Sequence, residues 1–254
     1  MKETGQALSK EDLEALNRDL DGRSPQEVLE WAFKEFAPDI TMACSFGGKS
    51  GMALVDMSVP IYHEIKVFYL DTGFLFPETY ALRNEVARRY GIEPVAFRSL
   101  LTPKEQAARH GEALWSRDPD LCCELRKVEP NRRALEGHRA WISGIRRDQA
   151  STRSNVQVVS WDDLFGLVKV SPLAGWTEAQ VSEYVREHGV PYNPLYDRGY
   201  PSIGCTHCTQ PVKAGEDPRS GRWADFDKIE CGIHLPGQDA VGPEGQETHV
   251  EAKQ

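Results

Sequence analysis

The stretch from Asp39 to Met57, DITMACSFGGKSGMALVDM, limits the fold more than any other part of the chain. A short apolar run ends in a small, Gly-rich turn at Ser45 to Ser50, and a helical pattern then resumes at once. That reads as strand, loop, helix. The unit recurs in KVFYLDTGF, which sets Asp71, Thr72 and Gly73 just past a second buried strand, and in PETYALRNEVARRYG, a helix closed by Gly91. Pro94 to Phe97 and Ala140 to Gly144 read as further short strands. Repeated strand–helix units predict an α/β fold, a single domain whose mostly parallel sheet is flanked by helices. Ligands of such sheets bind beyond the carboxyl ends of the strands.

The flanking segments carry their own punctuation. Ser24 to Phe36 has a Ser cap, Pro at the first helical position and Glu27 three residues after the cap, and Thr177 with Gln180 opens another helix that Gly189 closes. VPYNPLYDRGYPSIGCTHC then reads as an ordered loop, and beyond Thr209 the chain is polar and Gly/Pro-rich except for ECGIHL. The expected organisation is an N-terminal helical segment over 1–38, an α/β domain over 39–209, and a flexible C-terminal tail over 210–254.

At 254 residues and 40% hydrophobic content the chain can bury one substantial core. Its net charge of −9 argues against a surface that coats nucleic acid or an anionic membrane, so any anion site must be local. No apolar run approaches the roughly 20 residues of a membrane helix, and MKETGQALSKEDLEALN has no apolar signal core, which predicts a soluble, cytoplasmic chain. Six cysteines, grouped as Cys44, Cys122-Cys123, Cys205-x-x-Cys208 and Cys231, are too few and too uneven for a disulfide scaffold. Metal or thiol chemistry suits them better.

Two constellations stand out. Backbone N–H groups in SFGGKS, followed by a helix N-terminus, form an anion cradle to which Ser45, Gly47, Gly48 and Lys49 would contribute; the plain alternative is an ordinary strand-to-helix turn. The loop resembles the SGGKDS loop of the ATP-pyrophosphatase superfamily, although Phe46 intrudes and no Asp follows Lys49. The second constellation is cysteine. Cys122 and Cys123 open a helix, where neighbouring side chains diverge by about 100°, wider than the tetrahedron around zinc with its roughly 2.3 Å bonds readily allows. An iron–sulfur cube accommodates that spread, while a vicinal disulfide, unrelated buried thiols and a structural zinc remain open readings. Lys127, four residues after Cys123, falls on the same helical face, where its ammonium would offset a negative centre.

FYLDTGFLFPETY, CCELRKVEPNRRAL, GIRRDQASTR, CTHCT, and RSGRW followed by ECGIHL, in that order from about Ile40 to Leu235, resemble the assimilatory sulfonucleotide reductases. The resemblance implies a fold of the ATP-pyrophosphatase, or adenine nucleotide alpha hydrolase-like, kind. It also implies reduction of adenosine 5′-phosphosulfate (APS) to sulfite and AMP in sulfate assimilation, because paired cysteines plus CxxC mark the branch with a [4Fe–4S] cluster, here on Cys122, Cys123, Cys205 and Cys208. Enzymes acting on the 3′-phosphorylated nucleotide (PAPS) usually lack that set.

The family's nucleophile matches Cys231, on a tail that closes over the nucleotide, with thioredoxin or glutaredoxin as reductant. Arg219 and Arg222 match its substrate arginines. Lys127, Arg153, Arg219, Arg222 and His234 are the groups expected to lower the Cys231 pKa. Arg146, Arg147 and Arg153 follow a predicted strand and are expected to face the ligand, Arg153 first among them, with one or two pairing instead with Asp148 or the negative cluster. Asp71 is expected to fix the DTG turn and touch the nucleotide, Cys44 to be a buried strand-end thiol, and His207 to donate a hydrogen bond beside the cluster. A PAPS or dual-substrate reductase, and a nonenzymatic metal- and nucleotide-binding module, are the competing readings.

Overall fold

The structure is a computed structural model that describes residues 8–234. The element order begins with α1 (Lys10–Leu20), α2 (Pro25–Phe36), β1 (Ile40–Ala43), α3 (Lys49–Ile61), β2 (Lys66–Asp71), α4 (Pro77–Tyr90) and β3 (Val95–Arg98). It continues through α5 (Pro103–His110), α6 (Pro119–Cys123), a π-helical turn (Glu124–Val128), α7 (Glu129–Leu135), β4 (Ala140–Ile142), β5 (Val159–Asp162), β6 (Leu167–Val170) and α8 (Glu178–Glu187). The capping boxes at Ser24/Glu27 and Thr177/Gln180 form as their sequences predict.

The strands make one six-stranded sheet in the order β3-β2-β1-β4-β6-β5. All pairs are parallel except the edge hairpin β5–β6, in which Val159 faces Val170. β1, at the centre, lies between β2 and β4 and is buried along Ile40, Thr41 and Met42, which is why its sequence is apolar apart from Thr41, whose hydroxyl donates to Lys66 O (3.0 Å). The chain winds toward β3 on one side of β1 and toward β6 on the other, so the crevice at the carboxyl ends of β1 and β4 is the switch point where such sheets bind ligands.

The N-terminal helices belong to the same core: Leu13, Leu20, Val28 and Phe33 pack in one cluster with Met42, Leu54 and Val170. Asn17 ties α1 to the sheet edge, donating to Val159 O (2.6 Å) and accepting from Val159 N (3.1 Å). At the other end, 210–234 is folded against the domain, with Trp223, Glu230 and Ile233 buried. The predicted tail from 235 onward lies outside the described residues. Among the described residues no helix is long and apolar enough to cross a membrane.

Candidate active site

A cavity of about 510 Å³ opens at the carboxyl ends of β1, β2 and β4, between the sheet and the folded-back C-terminal segment. Ser45, Gly47, Gly48 and Lys49 line it at one side. No side chain caps α3 there, so the first-turn N–H groups of that helix are available to an anion. Phe46, the residue that interrupts the Gly-rich pattern, is fully buried with φ +51. Its ring meets Tyr69 edge-on at 5.7 Å, and its carbonyl accepts from Asn193 Nδ2 at 3.2 Å. Packing and that hydrogen bond hold a left-handed backbone that non-glycine residues disfavour, fixing the loop's shape. Lys49 reaches across the cavity, donating to Ser182 Oγ (3.0 Å) and lying over the Tyr196 ring (4.8 Å).

Arg153, Arg219 and Arg222 line the same cavity. Arg153 forms a two-pronged pair with the Glu230 carboxylate, with Nε to Oε1 and Nη2 to Oε2 both at 2.7 Å, and Arg219 Nη2 joins the same carboxylate at 3.1 Å. Glu230 is only 6% exposed, so this is a desolvated cluster that pins the residue before Cys231. Arg222 crosses above Gly204, where an added Cβ would lie 2.3 Å from Nη2; only glycine leaves it that path. It donates to Cys208 O and Ser202 Oγ. Replacing Glu230 by Gln leaves Arg153 and Arg219 facing each other without a counter-charge. We expect the segment to open more easily by about 3 kcal/mol, read as amide exchange over Ile229 to Ile233 roughly a hundredfold faster.

Cys231 follows Glu230 in this segment and lines the cavity with Lys127, Arg153, Arg219, Arg222 and His234. Burial alone would raise its thiol, and Glu230 acts in the same direction. Lys127, the backbone N–H of Ile233 and Arg222 outweigh both and hold it below the ordinary thiol range. Burial likewise opposes charge on Lys127, yet the nearby Cys205, Cys231 and Cys123 thiol groups raise it above its usual value. His234 stacks on Trp141 at 5.8 Å and is held well below the usual imidazole range by burial, then by Lys169, Arg153 and Arg219. It is therefore neutral and does not supply the positive charge assigned to it from sequence.

The other four site cysteines line a second, small cavity with Phe74, Trp115, Arg126, Lys127 and His207. Cys205 and Lys127 line both cavities and form the wall between them. Cys122 and Cys123 end α6 just where the π-helical turn begins, a local irregularity common at functional sites. The CxxC segment is fastened to the turn after β2: Thr206 N donates to Phe74 O (2.8 Å) and Cys205 Sγ to Thr72 Oγ1 (3.3 Å). All six cysteines are free. Burial pushes Cys123 up to about 12 and Cys208 up to about 11. Arg126, 3% exposed beside this cavity, has Nε and Nη2 without a hydrogen-bond partner, so a cation is buried next to four thiols with most of its donors idle. Among the described residues no three His, Cys, Asp or Glu side chains are arranged to hold a single metal ion.

Residues 39–211 match the family described as the phosphoadenosine phosphosulfate reductase domain. The chain belongs to that family. An adenosine 5′-phosphosulfate reductase of Salinibacter ruber is 42% identical over 237 residues, covering 93% of this chain and 94% of the relative. One of Geobacillus thermodenitrificans is 48% identical over 210 residues, covering 82% and 89%. A phosphoadenosine 5′-phosphosulfate reductase of Gloeobacter violaceus is 45% identical over 225 residues, covering 87% and 93%. Among solved structures, the phosphoadenylyl-sulfate (PAPS) reductase of Candida auris, in a phosphate complex, superposes with a TM-score of 0.71 at 35% identity, over 82% of this chain and all of that one.

Of the binding residues read from sequence in this family member, only Asp71 lies away from the cavity lining. Its carboxylate accepts from Gly73 N (3.2 Å), Tyr80 OH (2.6 Å) and Arg98 Nε (2.9 Å), so it builds the DTG turn. Arg146 is also occupied, by Asp148 (2.9 Å), Glu178 (2.7 Å) and Ser50, while Arg147 pairs with Asp21 (2.9 Å) on the outer surface. Cys44 is buried at the end of β1, and His207 stacks on Trp115 at 3.9 Å. Sequence reasoning did not single out Glu230, Gln149, Asn131 or Trp223, all of which line the cavity. Each lies inside a motif quoted from the sequence: Glu230 in ECGIHL, Gln149 in GIRRDQASTR, Asn131 in CCELRKVEPNRRAL and Trp223 in RSGRW.

Proposed function

We propose that this chain is an APS reductase that forms sulfite and AMP through Cys231, with a [4Fe–4S] cluster on Cys122, Cys123, Cys205 and Cys208. One observation carries the reading: a thiol held below its ordinary pKa shares a cavity with an uncapped helix N-terminus and with Lys127, Arg153, Arg219 and Arg222. The helix end suits the nucleotide's phosphate, and the cations suit the sulfate oxygens.

In the reaction the Cys231 thiolate attacks the sulfonyl sulfur. A sulfur–sulfur bond forms, the bond from sulfur to the bridging phosphate oxygen breaks, and AMP leaves with that electron pair. A thiolate of thioredoxin or glutaredoxin then attacks Cys231 Sγ, sulfite leaves with the sulfur–sulfur pair, and the second carrier thiol resolves the mixed disulfide, so the dithiol supplies both electrons. Lys127, Arg153, Arg219 and Arg222 neutralise the sulfate oxygens, and the Glu230 anchor keeps Sγ over the cavity.

Four free thiols around one small cavity, with the idle donors of Arg126 beside them, fit an anionic iron–sulfur group better than a lone ion. When bound, the group supplies a fixed charge distribution beside Lys127 and joins α6 to the CxxC loop, without changing oxidation state. The chain works in the cytoplasm, with 1–38 and 39–209 as its body and 210–254 as the segment that delivers the nucleophile and admits the carrier.

Anaerobically purified protein with thioredoxin is expected to release sulfite from APS and to discriminate strongly against PAPS. Comparable rates with both would make it a dual-substrate enzyme. No sulfite from either would leave a metal- and nucleotide-binding module.

A further inference from the structure

Asn131 on α7 is 1% exposed, lines the large cavity, and its Nδ2 has no hydrogen-bond partner in the protein. Its helical neighbours Val128 and Leu135 belong to an apolar cluster with Ile233, against which Cys231 packs. A buried primary amide in such company costs free energy unless an acceptor meets it, and an apolar side chain of the same size would fill the position without that cost. Among the described residues no acceptor meets it, and the cavity leaves room for one on a bound molecule. Four more polar atoms of cavity-lining side chains, Trp141 Nε1, Arg219 Nε, Trp223 Nε1 and His234 Nδ1, are buried and unpartnered, and the rings of Trp141 and His234 stack on each other at 5.8 Å. Lys127 precedes Asn131 by four residues, so both side chains leave the helix on the same side.

This is the part of the cavity that Cys231 lines. We propose that Asn131 is a substrate-contacting residue that donates a hydrogen bond to a sulfonyl oxygen of the transferred group and presents its sulfur to Cys231. The inference rests on reading the chain as a sulfonucleotide reductase. A neutral donor suits this place because the sulfonyl oxygens are acceptors both in APS and after the group has moved to Cys231. Holding them with a dipole adds no further charge beside the thiolate.

The test uses cluster-loaded protein carrying Cys231→Ser, so that APS is bound and not consumed, with affinities for APS and AMP measured by calorimetry. Adding Asn131→Leu, which keeps the volume, is expected to weaken APS about tenfold and AMP less than about twofold, since AMP has no sulfonyl group. Asn131→Asp is expected to weaken APS further than Leu does, by placing a carboxylate against the sulfonyl oxygens, while Asn131→Ala should behave as Leu does. Retained AMP binding also reports that the variants are folded. Equal losses for APS and AMP, or unchanged APS affinity in Asn131→Leu, would overturn the proposal. A native chain that releases sulfite while Asn131→Leu matches it in kcat/KM sinks this inference alone. No sulfite from the native chain, with no preference of Cys231→Ser for APS over AMP, sinks the functional reading and this inference with it.

Discussion

Cys231→Ser is expected to lower sulfite release from APS by on the order of a thousandfold or more, with AMP affinity and iron content unchanged. The hydroxyl occupies nearly the same space, so the segment stays anchored by Glu230 on Arg153 and Arg219. It is not ionised near neutral pH and makes no sulfur–sulfur bond that a carrier thiol can cleave. The same residue gives a pH test. A thiol held below its ordinary pKa has its thiolate present at lower pH than a free cysteine, so alkylation of Cys231 should rise with pH with its midpoint below the usual thiol value. Lys127→Gln removes the largest charge that favours the thiolate and should move that midpoint upward. A midpoint unmoved by Lys127→Gln, or sulfite release that survives in Cys231→Ser, would remove the nucleophile from the mechanism.

What the sequence disclosed and what it hid have separate physical reasons. The central strand was legible in Ile40 to Ala43 because a strand buried on both faces must be largely apolar, and the helices were legible because Ser24, Glu27, Thr177 and Gln180 declare their caps. The antiparallel β5–β6 hairpin was not, because VSWD and LVKV have neither a long apolar run nor a two-residue turn signal. The site cysteines and arginines announce themselves by residue type and motif.

Direction is another matter. Nothing in GIRRDQASTR says that Arg146, beside its pairing with Asp148, also takes Glu178, or that Arg147 turns to Asp21; that follows from the two short 3₁₀ turns after β4. Asp71 looked like a ligand for the same reason, since the sequence does not reveal Tyr80 and Arg98 arriving from α4 and β3 to occupy it. The buried state of Glu230 was masked by the polar, Gly-rich composition around it, although two arginines were present to receive it.

Cys205→Ser is expected to deprive the protein of most of its iron and its visible absorbance, and to lower the thermal midpoint by about 10 °C. Cys205 stands in the wall between the two cavities, and its loop is held to the turn after β2 by few bonds: Thr206 N to Phe74 O and the thiol itself to Thr72. A group held jointly by Cys122, Cys123, Cys205 and Cys208, as proposed, would join α6 to that loop, and its binding free energy would count toward folding. Cys44→Ala is the control: that thiol is buried at the end of β1, pushed up to about 12 by desolvation, and does not line the four-cysteine cavity. It should keep its iron. Equal iron loss in both variants would assign the effect to general destabilisation. One zinc per chain, in place of about four irons with sulfide, would mean the thiols close in on a single ion. The divergence of Cys122 and Cys123 at the start of the π-helical turn argues against that outcome.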